Sequence, residues 1–332
     1  MKSTFYHGMN KNGGFDSYTA GINDQDKRID AVLRRLLPRQ SLGSIYRLIR
    51  KGDVRVNNKA VGPRNRLKAG DTLTIRKRIE DSNLTISTRP RSPSLPILSI
   101  LWESNDFLIV NKPRGVLVHG KTSLTEQVLQ YLEGKLPPSL SFTPGPLHRL
   151  DRNTSGILVF GKSLAGARRF SRALVEQTVQ KTYLALVTGV LSASCTWKDA
   201  LVRDTRKHKT QETLVSSTGK GKQAVTVVYP IAVNTSFLNG LTLCAIRIHT
   251  GRTHQIRAQA SSHGHPLLGD TKYKSLPWKR GYFLHAWKLE WPGVFSLTAP
   301  LPKGFESLLD TFFKSRDLFF DDIPLRGDSE KQ

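Results

Sequence analysis

Pro146-Leu147-His148-Arg149-Leu150-Asp151-Arg152-Asn153-Thr154-Ser155-Gly156 runs directly into Ile157-Leu158-Val159-Phe160. A polar, cation-rich stretch that empties into four consecutive apolar residues predicts a loop feeding a buried strand. Such a loop is anchored at one end by the core and open at the other, a good place to present a carboxylate. Asp151 stands between Arg149 and Arg152, two cations that favour a charged carboxylate there. Taken singly, Asp151 reads first as a turn residue that caps backbone amides.

Further apolar runs, Phe107–Val110, Tyr183–Val187 and Leu241–Ile246, have strand length, whereas helical spacing is confined to the stretches around Ser123–Leu132 and Leu164–Gln177. Residues 98–312 are therefore expected to form an α+β domain: a mixed, mostly antiparallel sheet with peripheral helices. The charged residues 313–332 read as a tail across the surface.

The N-terminal part differs in character. Residues 1–26 are polar and aperiodic and read as a mobile arm. From 27 to 80 a small α/β unit is expected. Ile29, Val32, Leu33 and Leu36 mark one helical face, Pro38 ends that helix, and Ser41 can cap a second whose Leu42, Ile45 and Ile49 pack inward. Gly52 stops the second helix, Asn57-Asn58 turns between two short strands, and Thr72–Ile75 adds a third. Residues 81–97, with three prolines and several serines, have linker composition.

Charge narrows the partners. The 332 residues hold 51 Lys and Arg against 26 Asp and Glu, a net +25, and residues 27–80 alone carry sixteen basic against four acidic side chains. That concentration, with Arg34, Arg35, Arg47, Arg50 and Lys51 on or beside the two helices, suits phosphate contacts without base readout. Nucleic acid comes first among polyanions, an acidic membrane second. Two cysteines, Cys195 and Cys244, supply no disulfide framework, and the opening MKSTFYHGMNKNGGF lacks an apolar signal core. A cytoplasmic monomer away from the membrane is expected. His249, His254, His263 and His265 lack the i, i+4 spacing of a helical zinc site and have no cysteine support, so no metal and no cofactor are expected.

A second polar segment, Ile248-His249-Thr250-Gly251-Arg252-Thr253-His254-Gln255-Ile256-Arg257, also closes an apolar run. By itself it is a generic loop with many donors. Its functional reading needs an acidic partner, and Asp151 is the candidate for an Arg–carboxylate pair.

Four segments in order, Glu103-Ser-Asn-Asp-Phe-Leu-Ile-Val-Asn-Lys-Pro-Arg-Gly115, His148 to Gly156, Lys181-Thr-Tyr183 and Gly251 to Arg257, resemble the RluA family of pseudouridine synthases. RIDAVLRRLL, SLGSIYRLIRKGDVRVNNKAV and LKAGDTLTI, over 27 to about 78, resemble the S4-type RNA-binding fold. Together they are most similar to family members acting on large-subunit ribosomal RNA. The resemblance implies that Asp151 is the catalytic carboxylate acting on a flipped-out uridine. It also implies that Tyr183 stacks on the uracil and takes the C5 proton, and that Arg257 pairs with Asp151. Arg149 is the candidate wedge filling the vacated stack, with a phosphate contact as the alternative. His148, Arg252, His254 and Gln255 are assigned to RNA contact or loop architecture, and Lys112-Pro113 with Gly115 to the floor of the cleft. The competing reading is a non-catalytic RNA-binding ribosome assembly factor. A zinc deaminase is disfavoured because no Cys-x-x-Cys accompanies a His-x-Glu.

Deleting residues 1–80 should weaken binding to long structured RNA and flatten its salt dependence. Titration at several salt concentrations checks this, and an unchanged slope means that the basic cluster contributes nothing.

Overall fold

The computed structural model describes residues 14–76, 98–204, 212–216, 218–279 and 281–313. The expected linker, residues 1–13 of the expected arm and the expected tail beyond Phe313 lie outside them.

Phe15–Thr19 forms strand β1, followed by helices α1 (Ile29–Leu36) and α2 (Leu42–Arg50) and strands β2 (Val54–Val56), β3 (Lys59–Ala60) and β4 (Thr72–Arg76). Ser41 Oγ accepts from the Ser44 amide at 3.1 Å and starts α2, and Gly52, at φ +71°, ends it. Asn57 and Asn58 both take positive φ, as a two-residue hairpin turn requires. The four strands pair antiparallel in the order β1-β4-β2-β3, and the apolar faces of α1 and α2 share one core with Val54, Leu73 and Ile75.

Two expectations change here. Leu42 is 44 % exposed, and Leu48 takes the inward place beside Ile45 and Ile49. A side chain on the first residue of a helix leans back past the end of the packing surface. Residues 14–26 are not an arm: β1 completes the small sheet along the open edge of β4, from Phe15 opposite Arg76 to Thr19 opposite Thr72. Beyond it, the buried Asp24 carboxylate accepts from the Ser139 and Ser141 hydroxyls and from the Leu140 and Ser141 amides, at 2.6–2.9 Å. Leu140 inserts into the small core, and Asn23 Oδ1 accepts from the Leu164 amide at 2.9 Å. Local periodicity hid this segment because its partners, β4 and the segment Ser139–Ser141, are distant in the chain.

The large lobe comprises β5 (Ile100–Glu103), β6 (Phe107–Lys112), α3 (Leu124–Tyr131), β7 (Gly145–Pro146), β8 (Ser155–Gly161), α4 (Leu164–Val175), β9 (Gln180–Thr188), β10 (Cys195–Asp204), β11 (Glu212–Val215), β12 (Lys222–Asn234), β13 (Leu241–Ile248), α5 (Gln255–Ser262), β14 (Leu284–Trp291), β15 (Phe295–Thr298) and α6 (Lys303–Phe313). Its main path runs β11-β10-β12-β13-β9-β14-β8-β6-β5, with β15 on β14 and β7 on β8. The architecture is the mixed, mostly antiparallel sheet with flanking helices that the apolar runs predict. Alternate residues of β6 and β8 enter cores on opposite faces, so their central runs, Phe107–Val110 and Ile157–Phe160, are apolar without a break.

One junction is parallel. His285 lies opposite Ser155 and Ala286 opposite Gly156, joining β14 to β8 and so the two halves of the sheet. Gly156 has φ +107°, and a Cβ there would stand 2.2 Å from the Ala286 carbonyl oxygen. Only glycine allows this approach. Ser155 Oγ and His285 Nδ1 lie 2.9 Å apart beside it. Because Gly145 and Pro146 pair with Gly161 and Phe160, residues 147–154 form the closed end of a hairpin at this junction.

Gly156→Ala should lower stability by about 2–5 kcal/mol, combining a strained φ with a backbone clash. Urea denaturation checks this; a wild-type midpoint would mean that the junction is not a tight approach.

Candidate active site

The loop over residues 147–154 is pinned from below. Lys112, fully buried at the end of β6, donates from Nζ to the carbonyls of Pro113 (3.0 Å), Arg152 (3.0 Å) and Thr154 (2.7 Å). Burial pushes its ammonium down to about 8, opposed by the charge of Asp151. The Gly115 amide donates to the Arg152 carbonyl at 2.8 Å, and Arg152 Nε donates to the Gly115 carbonyl at 3.0 Å. Inside the loop Leu150 is buried and Asp151 is partly open to a cavity of about 570 Å³, a size suited to a small-molecule-sized group.

Arg257 reaches Asp151 from the first turn of α5, Nη1 to Oδ2 at 3.2 Å. Its remaining donors are committed to the buried Asp270: Nε to Oδ2 at 2.7 Å and Nη2 to Oδ1 at 2.8 Å. The guanidinium carbon lies 4.2 Å from the centroid of Tyr282 and 5.0 Å from that of Tyr273. Burial works against its charge, but the hydrogen-bonded Asp270, with Tyr282 and Asp151, holds it above the ordinary arginine range. The rotamer of Arg257 is thus set by a planar two-point clamp, which leaves one edge for Asp151.

Tyr183 is buried on β9 and lines the same cavity. Burial, and then the charge of Asp151, hold its phenol above the ordinary range, so it keeps its proton at neutral pH. Taking the C5 proton would need a phenolate, which both influences oppose; stacking and donation need none. His254, left-handed at φ 53° at the residue preceding α5, places Nε2 3.7 Å from Asp151 Oδ2 and Nδ1 2.9 Å from the Tyr273 hydroxyl. Burial holds it below the ordinary histidine range despite Asp151.

The remaining sequence candidates separate. Arg149 and Arg252 are exposed at the cavity rim, and Arg252 Nε also donates to the Gln223 carbonyl at 3.1 Å. His148 turns inward: Nε2 accepts from the Val159 amide at 3.1 Å, the ring stacks on Phe170, and burial pushes it down to about 3. Gln255, 3 % exposed, accepts from the Thr250 hydroxyl and Arg252 amide and donates to the Val225 carbonyl and Thr226 hydroxyl, so its amide is spent on architecture. The neighbours expected to favour a charged Asp151 face elsewhere, Arg152 to Gly115 and Arg149 outward; the cation in contact is Arg257. The segment expected to be a loop through Arg257 becomes helix from Gln255 onward, which puts Arg257 at a defined height above Asp151. Arg34, Arg47, Arg50 and Lys51 lie exposed on the small lobe, and Arg35 Nη2 donates to Thr143 Oγ1 at 2.5 Å.

Sequence reasoning passed over Asp270, Tyr273 and Tyr282. Gly269-Asp270 reads as an ordinary turn, and a tyrosine three residues on reads as core. The only cue was their position shortly after the Gly251–Arg257 segment.

A family profile described as RNA pseudouridylate synthase matches residues 106–262, and the S4 domain profile matches residues 27–73. Ribosomal large subunit pseudouridine synthase C of Buchnera aphidicola subsp. Schizaphis graminum is 34 % identical over 251 residues, covering 75 % of this chain and 77 % of its own. The protein of that name in Escherichia coli strain K12 is 32 % identical over 312 residues, 89 % of this chain and 95 % of its own. Among solved structures, human RNA pseudouridylate synthase domain containing 1 superposes with a TM-score of 0.53 at 28 % identity, over 67 % of this chain and 90 % of that one.

Asp270→Asn should release one side of the clamp and let Arg257 swing. Turnover is expected to fall by roughly 10- to 100-fold with RNA affinity kept, the signature of a misplaced reacting group. Single-turnover kinetics with parallel binding measurements check it; a wild-type rate would show that Asp270 does not hold the site.

Proposed function

The chain belongs to the RNA pseudouridylate synthase family, and from that premise we propose that it isomerises uridines of large-subunit ribosomal RNA with Asp151 as the catalytic carboxylate. The observation that carries the assignment of Asp151 is its pairing with the clamped Arg257 at the edge of a cavity walled by Tyr183. The relatives named as ribosomal large subunit enzymes support the substrate, and the basic residues 27–80 support a structured RNA partner.

The reaction breaks the bond from N1 of uracil to C1′, turns the ring, forms a bond from C5 to C1′, and moves a proton from C5 to N1. No atom is gained or lost. In this reading the uridine leaves its stack and enters the cavity, with Arg149 at the exposed rim placed to fill the gap. Tyr183 stacks on the base. Arg257 fixes the direction of the Asp151 carboxylate through its hydrogen bond to Oδ2. Arg252 and His254 meet the RNA at the loop edge, whereas His148 and Gln255 hold the walls. The small lobe, through Arg34, Arg35, Arg47, Arg50 and Lys51, holds phosphates at a distance from the reacting base. The reading includes a monomer acting in the cytoplasm without cofactor or metal, built as an arm, an RNA-binding domain over 27–80, a linker, a catalytic domain over 98–312 and a tail. It revises the arm to what precedes β1.

Asp151→Asn should keep RNA affinity and lose turnover. Carbodiimide treatment followed by primer extension detects the product as a new stop, and mass spectrometry shows that the modified RNA has unchanged mass. Product from Asp151→Asn would remove that residue from the chemistry, and an absence of new stops with the wild-type chain would favour a binding-only assembly factor.

A further inference from the structure

The same cavity contains a cation that the roles above leave unused. Lys181 stands two residues before Tyr183 on β9, so both side chains leave the strand on the same face, and both line the cavity. Its Nζ lies 3.9 Å from the point that a Cβ on Gly251 would occupy, which puts the ammonium against the start of the Gly251–Arg257 segment. It is half-buried, and among the described residues its ammonium has no hydrogen bond or ion pair. The cavity has one acidic lining residue, Asp151, whose Oδ2 is engaged by Arg257. A half-buried ammonium without an anion is costly, and burial holds Lys181 below the ordinary lysine range. A charge kept at that cost is placed for an anion that arrives during the reaction.

We propose that Lys181 is a catalytic residue whose ammonium hydrogen-bonds a ring oxygen of the uracil and stabilises the negative charge that the ring carries while detached from the sugar. This rests on the isomerisation argued above. When the bond between C1′ and N1 breaks, its electron pair stays with the ring and spreads over N1, O2 and O4. The charge is discharged when C5 bonds to C1′ and the C5 proton is lost, with N1 gaining a proton. Lys181 donates a hydrogen bond throughout and transfers no proton. Stabilisation of charge that develops only in the transition state accelerates the step without tightening substrate binding. A phosphate contact is the competing role for a lysine. The exposed Arg149 and Arg252 occupy the rim where phosphates pass, whereas Lys181 lies behind it beside the tyrosine that faces the base.

The test uses the full chain and target RNA carrying uridine or 5-fluorouridine at the modified position. Fluorine makes the detached ring a weaker base, so it needs less help. Lys181→Met is expected to slow the single-turnover consumption of uridine by about 100-fold, as removal of one preorganised donor does, with RNA affinity unchanged. The defect should shrink several-fold with 5-fluorouridine, and Lys181→Arg should recover part of the rate. Lys181→Gln carries the same expectation should methionine disturb the strand. Weaker RNA binding at an unchanged rate would make Lys181 a phosphate contact, and equal defects on both substrates would make it structural; either result overturns the proposal. Failure of the wild-type chain to isomerise any uridine would instead overturn the reading on which it rests.

Discussion

The approach of Gly156 to the backbone of Ala286 is the constraint on which the site depends. In a sheet that is otherwise antiparallel along its main path, β8 and β14 meet side by side in the same direction over two residue pairs. That contact brings the closed end of the β7–β8 hairpin next to β14, and β14 brings β9 as its other neighbour. Asp151 arrives from the hairpin end and Tyr183 from β9, on one side of the sheet. A side chain at position 156 would push the halves apart and separate the carboxylate from the aromatic wall. Gly156, the second residue of β8, therefore serves geometry between strands, beyond any local turn.

Around that junction the protein keeps several charges out of bulk water, and it does so by pairing them. Arg257 lies between two carboxylates and two tyrosine rings, and Lys112 spends its ammonium on three carbonyls of the loop and its approach. Removing one member of such a set leaves a buried charge uncompensated, which costs more than the pair contributes. The arrangement also explains a division of labour among the carboxylates. Asp270 is closed off and makes two hydrogen bonds to one guanidinium, whereas Asp151 accepts a single longer one and keeps an open side toward the cavity.

The small lobe is joined to this machinery through a polar lock. Asp24 gathers the amides and hydroxyls of Ser139–Ser141, and Leu140 completes the small core. A carboxylate accepting two amides and two hydroxyls fixes direction more sharply than apolar contact alone. The basic helices are thereby tied to the segment Ser139–Ser141 of the large lobe.

Much of this was legible in the chain itself. Apolar runs mark the strands because residues buried on both faces need no polar alternation, and the helices of the small lobe announce themselves by period and caps. The loop ahead of Ile157 also follows from residue types and order, whereas the pairing of Arg257 with Asp151 follows from the family resemblance. What the tertiary structure decided is which atoms meet. Asp270 looks like a turn residue until α5 lays Arg257 across it, and His148 looks like an RNA contact until its ring is found holding the Val159 amide. Arg149 and Arg152 are neighbours of Asp151 in the chain yet turn away from it. β1 and Asp24 carry no local signal, because their partners are a strand end some sixty residues on and a loop beyond a hundred. Periodicity and composition report what a residue does to its own segment; direction, clamping and long-range capture exist only after distant segments have been brought together.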